Sequence, residues 1–277
     1  NESVVLTIEN CEPDFNGPID DVAFDEDSYN DTINLSEVFS DFNGDDLTYG
    51  VVGNTTGLTI SYSEGIVMID SDLNYNGVNK VNFTASDASA SEISNEVTIT
   101  VNSVNDVPVA ADLIDSTNEE TSLNITLSCT DVDNATLDYI IVTPPLNGSP
   151  LSDTQNVTYV PNGNFTGVDT FEYKCNDGLN NSNVALVTIT VTGENDAPVI
   201  NNTIPNVIFD EGDSNDSIDL DDYAEDIDGD SLTWSSSGQD NVSVNINGNN
   251  VVTFSTNDKN WFGSETINLT VSDGIDS

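Results

Sequence analysis

The stretch "EVTITVNSVNDVP" (96–108) sets the pattern for the chain. Val97, Ile99 and Val101 alternate with Thr98, Thr100 and Asn102. That period of two puts the aliphatic side chains on one face of a strand and the polar ones on the other. The alternation stops at "NSVNDVP", where Ser, Asn, Asp and Pro supply turn chemistry and a break. At 186–198 "LVTITVTGENDAP" repeats both halves in order. A strand and a break that recur together mark the end of a repeated domain.

Working outward from these endings, three copies of the remaining marks fall into register. "DFNGDDLTY" (41–49), "DVDNATLDY" (131–139) and "DIDGDSLTW" (226–234) share an acidic start and a Leu-x-aromatic end. "NYNG" (74–77), "NFTG" (164–167) and "NWFG" (260–263) follow. Then come "VNFTASD" (81–87), "FEYKCND" (171–177) and "INLTVSD" (267–273). Between them lie short alternating runs such as "TINLSEVF" (32–39), "GIVMID" (65–70) and "KVNFTA" (80–85), rich in β-branched residues and bounded by Gly, Asn and Asp. No helical period is sustained. About seven short strands in each repeat of roughly 90 residues predict an all-β chain of three tandem Ig-like sandwiches in a rod. The expected boundaries are 13–104, 105–194 and 195–277, with 1–12 as an additional N-terminal strand.

The chain carries 50 acidic residues against three lysines, with a formal charge of −47. Such a surface repels phosphate backbones and anionic lipid and attracts cations, so nucleic acid is not an expected partner. The acid would also keep a salt-adapted surface soluble, but much of the Asp recurs at fixed places in the repeats. No stretch is apolar enough for a membrane span, so this segment is not expected to insert. Without histidine there is no Ser-His or Cys-His nucleophile, and no phosphate loop or nucleophile elbow appears, so no enzyme is expected. Trp234 and Trp261 could stack on sugars, but they align with Tyr49/Tyr139 and Tyr75/Phe165, expected core positions.

The "NDxP" linker, the "DxD" motif, the "NF/NW/NY" motif and the closing "SDG/NDG" together resemble the cadherin-like tandem domains of bacterial and archaeal surface proteins, filaments and large adhesins. The resemblance implies Ca2+ at the junctions between domains, held by hard oxygen ligands. Carried over residue by residue, junction 1/2 takes Asn105 and Asp106 from the linker, with Asp131, Asp133 and Asp177 from the second domain and Glu26 from the first. Junction 2/3 takes Asn195, Asp196, Asp226, Asp228 and Asp273, with Glu119 or Glu120 from the domain before. The same positions at the entrance to the first domain are Asp41, Asn43 and Asp87. There "ENCEP" (9–13) puts Cys11 where "ENDAP" (194–198) has the linker Asp, leaving Glu12 or Asp14 as substitutes. Asp and Asn are also ordinary turn residues, which is the competing explanation. "DIDGD" is not an EF-hand, since its twelfth position is Ser237 rather than Glu.

Cys129 aligns with Phe39 and Ala224, and Cys175 with Ala85 and Val271, all inward positions on this reading. A disulfide between them is expected, similar to the inter-sheet bond of Ig domains, with two reduced core thiols as the alternative. It would suit an extracellular location. The sequon N-x-Ser/Thr occurs about fifteen times. Asn82, Asn124, Asn156 and Asn268 lie in strands whose alternate residues are apolar, so each is expected to face solvent and to be a candidate for N-linked glycans.

"NESVVLTIEN" (1–10) aligns through its linker with the last strand of a repeat, Val4 on Ile99 and Ile189, Leu6 on Val101 and Val191. The third repeat stops at "SDGIDS" (272–277), before such a strand. Val4, Leu6 and Ile8 are therefore expected to form a donor strand. It would complete either a preceding domain or the third domain of a neighbouring copy, giving a head-to-tail homopolymer. The expected function is a structural subunit of an extracellular, calcium-stabilised filament at the cell surface. A segment of a long repeat adhesin, mediating attachment between cells or to a surface, is the alternative.

Overall fold

The computed structural model describes residues 3–5, 11–150 and 152–277. Strands dominate, and the helical turns among the described residues are short, at Leu35–Val38 and Leu220–Asp222. Among the described residues no helix is long and apolar enough to cross a membrane. The chain divides into two compact units. One holds residues 1–109 with the loops 130–137 and 176–182; the other holds 110–129, 138–175 and 183–277.

In the first repeat one sheet runs Val22–Asp25, Val97–Asn102, Gly77–Ser86, Thr48–Gly53, with Ser91–Ile93 added beside Gly77–Ser86. The other runs Tyr29–Asn34, Ile66–Ser71, Leu58–Ser63. The alternation in Gly77–Ser86 works as its sequence dictates. Val81, Phe83 and Ala85 are buried against Ile33, Leu35, Val67 and Ile69, and Lys80 turns out to pair with Glu96 at 2.6 Å. Val22–Asp25 runs parallel to Val97–Asn102, with Val22 opposite Ile99 and Phe24 opposite Val101, whereas the ladders of Gly77–Ser86 are antiparallel.

The second repeat has the same plan. Its sheets run Leu113–Asn118, Ala185–Thr192, Gly167–Asn176, Asp138–Thr143 and Leu123–Thr126, Asn156–Pro161, Gly148–Pro150. Leu113–Asn118 is again parallel to the last strand. A disulfide joins Cys129 to Cys175 with the Cα atoms 6.6 Å apart, and Cys175 is fully buried.

The third repeat keeps one complete sheet, Ser214–Asp219, Val251–Thr256, Val242–Ile246, but among the described residues the other holds two strands, Thr233–Ser237 and Asn268–Ser272. Its "VIFDE" (207–211) matches "VAFDE" (22–26) in spacing. Val207 and Phe209 pack on the core, yet 207–210 forms no strand. The reason is topological. The counterparts of 207–210 pair only with a last strand, and no last strand lies beside Asn268–Ser272 among the described residues.

Each repeat also carries a polar pin two residues after its loop glycine. Asn79 Nδ2 donates to the carbonyls of Asn54 (3.2 Å) and Thr56 (2.9 Å). Buried Asp169 accepts from Leu146 N, Asn147 N and Tyr159 Oη. Glu265 accepts from the backbone of Asp240, Asn241 and Val242, which holds its carboxyl below the usual range. Asn79 thus satisfies loop carbonyls, and Asp169 and Glu265 loop N–H groups, that the ladders leave unpaired.

Leu6 and Ile8 of the expected donor strand lie outside the described residues; Val4 and Val5 are exposed and not in a strand. Asn124, Asn156 and Asn268 face solvent. Asn82 departs from the expectation. It is half-buried, and its Nδ2 donates to the Ser94 carbonyl at 2.9 Å, because the short strand Ser91–Ile93 and the residues after it run alongside its own strand.

Candidate metal centres

The first Asp of each acidic motif folds its own loop. Asp41 Oδ1 accepts from the backbone N–H of Asn43, Gly44 and Asp45 at 2.9–3.1 Å. Asp131 Oδ1 does the same for Asp133 (2.9 Å) and Asn134 (2.6 Å), and Asp226 Oδ1 for Asp228 (2.9 Å) and Asp230 (3.3 Å). This is ordinary Asx-turn chemistry. It employs one carboxylate oxygen of each residue. The other, Oδ2, is buried in Asp41, Asp131 and Asp226 alike and accepts no hydrogen bond from the described residues. Turn formation explains Oδ1 and leaves Oδ2 unexplained, and a buried anionic oxygen without a partner is costly.

The linkers dock on these loops in the same way at both junctions. Asn105 Nδ2 donates to Asp177 Oδ2 at 2.7 Å, and Asp106 N donates to Asp133 Oδ2 at 2.7 Å. Asn195 Nδ2 donates to Asp273 Oδ2 at 2.9 Å, and Asp196 N to Asp228 Oδ2 at 2.8 Å. Asp177 and Asp273 also cap their own turns through Oδ1. The Asn105 and Asn195 amides, followed by these backbone donors, hold both carboxyls below the usual carboxylate range. Asp106 is shifted the other way. Desolvation comes first and the charges of Asp133, Asp27, Glu26 and Asp131 follow, and its Oδ2 too is buried without a donor.

The preceding domain contributes one buried glutamate to each site. Glu26 accepts from Val104 N at 2.6 Å and from Asn76 Nδ2 at 3.2 Å. Glu119 accepts from Glu194 N at 2.7 Å. Of the two glutamates the sequence left open at junction 2/3, Glu119 joins the site, and Glu120 takes the left-handed turn position at φ 56°. Carboxylate oxygens of Glu119, Asp196 and Asp228 lie within 4.8 Å of one another, and so do those of Asp226, Asp228 and Asp230, so Asp228 belongs to two triads. Asp41, Asp45 and Asp87 form a third such group at the first repeat. Asn43, expected as a ligand there, donates from Nδ2 to Asp45 Oδ2 at 3.0 Å.

Converging carboxylates with no lysine among them and bare buried oxygens suit a hard divalent cation, which takes oxygen ligands and offsets their repulsion. The sequence expectation omitted Asp27, Asp45, Asp230 and Asn164, whose Nδ2 donates to Asp196 Oδ2 at 2.7 Å. Asp45 and Asp230 had a visible signal: both stand fifth in "DFNGD" and "DIDGD". Asp27 and Asn164 reach their places through left-handed turns (φ 56° each) that composition does not reveal.

Strand order, the paired-sheet plan and the acidic linkers define a tandem array of Ig-like, cadherin-like sandwiches. The chain belongs to the bacterial Ig domain family, which matches residues 105–190 and 195–277. Among solved structures it is similar to protocadherin gamma B2 extracellular cadherin domains 1–5, at 14% identity and a TM-score of 0.44, covering 87% of this chain and 52% of that one. It thus spans about half of that fragment. Human mucin-like protocadherin EC1-2 gives 15% identity and a TM-score of 0.40, covering 66% and 98%. Titin I67–I69, an E-to-A variant, gives 9% and 0.35, covering 95% and 94%. No curated protein matches the chain.

Proposed function

We propose that this chain is a structural segment of an extracellular surface fibre, in which calcium fixes each linker to the repeats on either side of it. The observation that carries this reading is the bare, buried Oδ2 at the same place in every repeat, on Asp41, Asp131 and Asp226. Calcium at junction 1/2 would draw on Glu26, Asn105, Asp106, Asp131, Asp133 and Asp177. At junction 2/3 it would draw on Glu119, Asn195, Asp196, Asp226, Asp228 and Asp273. The entrance to the first repeat would use Asp41, Asp45 and Asp87. An ion that binds only the assembled junction stabilises it by mass action. Ig-like repeats are typical of structural and adhesion proteins, and domains of this family typically lie in extracellular surface proteins, which supports the placement.

Successive copies join head to tail by strand donation. What supports this is that 207–210, unlike its counterparts, has no ladder partner among the described residues, and that Val4, Leu6 and Ile8 repeat in sequence the alternation of a last strand. Burying three such side chains contributes at most ~1.5–3 kcal/mol each, and the ladder adds to it. Negative-stain imaging of the chain with and without residues 1–10, in calcium and in chelator, tests this. Long fibres from the intact chain in calcium, and none from the truncated one, are expected. Equal assembly of both would overturn strand donation, and fibres indifferent to chelator would overturn the calcium role.

A further inference from the structure

We propose that Asn30 and Asn215 are glycan-acceptor sites of the folded chain, taking an oligosaccharide from a polyprenyl-diphosphate donor; the inference rests on the extracellular placement proposed above. Both occupy the same place in their repeats, in "NDT" (30–32) and "NDS" (215–217). In both, the strand carries one residue too many. Asn30 and Ile33 oppose Ile69 and Val67, and Asn215 and Ile218 oppose Phe254 and Val252, so three steps on one strand meet two on its partner. These are β-bulges, and the residues inside them leave the ladder. Asp31, Thr32, Asp216 and Ser217 are exposed.

The side chains of these two sequons share one geometry, of which Asn54, exposed in a loop, has only the backbone half, from Thr56 N at 3.1 Å. Asn30 Oδ1 accepts from Thr32 N (3.2 Å) and Thr32 Oγ1 (2.9 Å); Asn215 Oδ1 accepts from Ser217 N (3.0 Å) and Ser217 Oγ (2.7 Å). Each sequon therefore folds on itself, with its own hydroxyl on its own carboxamide and no hydrogen bond donated by Nδ2 among the described residues. Asn34 has a similar turn, but its Nδ2 is committed to Glu37 at 3.1 Å. The Nδ2 groups of Asn82, Asn134 and Asn164 are committed to Ser94, Asn105 and Asp196. Asn124 and Asn156 face each other's sequons across a regular ladder. Thr158 Oγ1 donates to Asn124 and Thr126 Oγ1 to Asn156, both at 2.8 Å. A transferase cannot grip those hydroxyls without opening strands whose Ile125 and Val157 are core residues. Bulged segments need no such opening, in keeping with the preference of the sequon for surface loops.

In the transfer step the Asn Nδ2–C1 bond forms and the C1–O bond to the diphosphate breaks. The departing polyprenyl diphosphate takes the electron pair, and one Nδ2 proton goes to a base of the transferase. The test is to incubate the folded, disulfide-intact chain with an oligosaccharyltransferase that accepts the three-residue sequon and with lipid-linked oligosaccharide, and then to map glycopeptides by mass. Synthetic peptides spanning 27–35, 121–129 and 153–161 serve as unfolded references. In the folded chain Asn30 and Asn215 are expected to react at least tenfold faster than Asn124 and Asn156. The peptides should abolish the difference, and Asn30→Gln and Asn215→Gln should each remove one glycan mass. Reaction at Asn124 or Asn156 at comparable rate, or bare Asn30 and Asn215 while the peptide 27–35 reacts, would overturn the proposal. The calcium reading would be untouched by that failure.

Discussion

Replacing Glu119 by glutamine should stabilise the chain more in chelator than in calcium. The buried Glu119 carboxylate sits within 4.8 Å of those of Asp196 and Asp228. Two unit charges at that distance repel by about 1 kcal/mol in water and by about 3 kcal/mol at an effective dielectric constant of 20. Asp228 is exposed, so the lower figure governs, and removing two such pairs relieves about 2 kcal/mol. The substituted amide can still accept from Glu194 N through its Oε1, so the turn is preserved. In chelator E119Q should therefore melt above the parent. In calcium the gap narrows. Free calcium at a hundred times its dissociation constant stabilises the parent by about 2.7 kcal/mol, and a tenfold weaker site forfeits about 1.4 kcal/mol of that. At roughly 4–8 °C per kcal/mol for a domain of this size, the calcium increment in Tm should shrink by about 6–11 °C. Both tryptophans, Trp234 and Trp261, lie in the third repeat, so their fluorescence reports the domain that junction 2/3 stabilises. A variant that melts lower than the parent in chelator yet keeps the full calcium increment would refute the reasoning, leaving Glu119 as a hydrogen-bond acceptor alone.

Other perturbations follow from the same geometry. Replacing Cys129 and Cys175 by Ser opens a loop with a sequence separation of 46 and should cost about 4 kcal/mol by loop entropy, read from urea unfolding; a loss under about 1 kcal/mol would count against it. Asp177 titrates below its unfolded value, so its contribution is present above about pH 3.9 and is lost as the pH falls through the folded value. Asn105→Ala should raise the Asp177 midpoint in an NMR carboxyl titration, and an unmoved midpoint would exclude the Asn105 amide as its main cause. Asp106 has the opposite sign. In chelator, stability should fall as the pH rises through its elevated folded value, and calcium should remove that slope in pH-dependent melts. Asp169→Ala strands Leu146 N, Asn147 N and Tyr159 Oη in a buried site and should cost about 3 kcal/mol or more by chemical denaturation.

The sandwich plan is legible because alternation in runs such as 97–101 follows from one buried face, and nothing in the third dimension overrides it. The DxD and linker aspartates are legible because they recur. What escapes the sequence is whatever depends on a turn or on a crossing. Glu119 and Glu120 look equivalent until the left-handed conformation at Glu120 decides which one turns inward. Asn82 alternates correctly with Val81 and Phe83, yet the short strand Ser91–Ile93 and the chain beyond it cover its amide. The pins Asn79, Asp169 and Glu265 differ in residue type, and their shared task appears only when their loops lie beside them. The bulges at Asn30 and Asn215 need an extra residue counted against a partner strand, which no single segment records.

Calorimetric titration of calcium into the parent chain and into a D131N/D226N double variant tests the metal reading most directly. The substitutions keep Oδ1 for the turn and replace the bare Oδ2 by an amide that cannot coordinate. Saturable binding by the parent, at least tenfold weakened in the variant with unchanged far-ultraviolet dichroism, is the expected result. No uptake by the parent at millimolar calcium, or equal uptake by both, would contradict it.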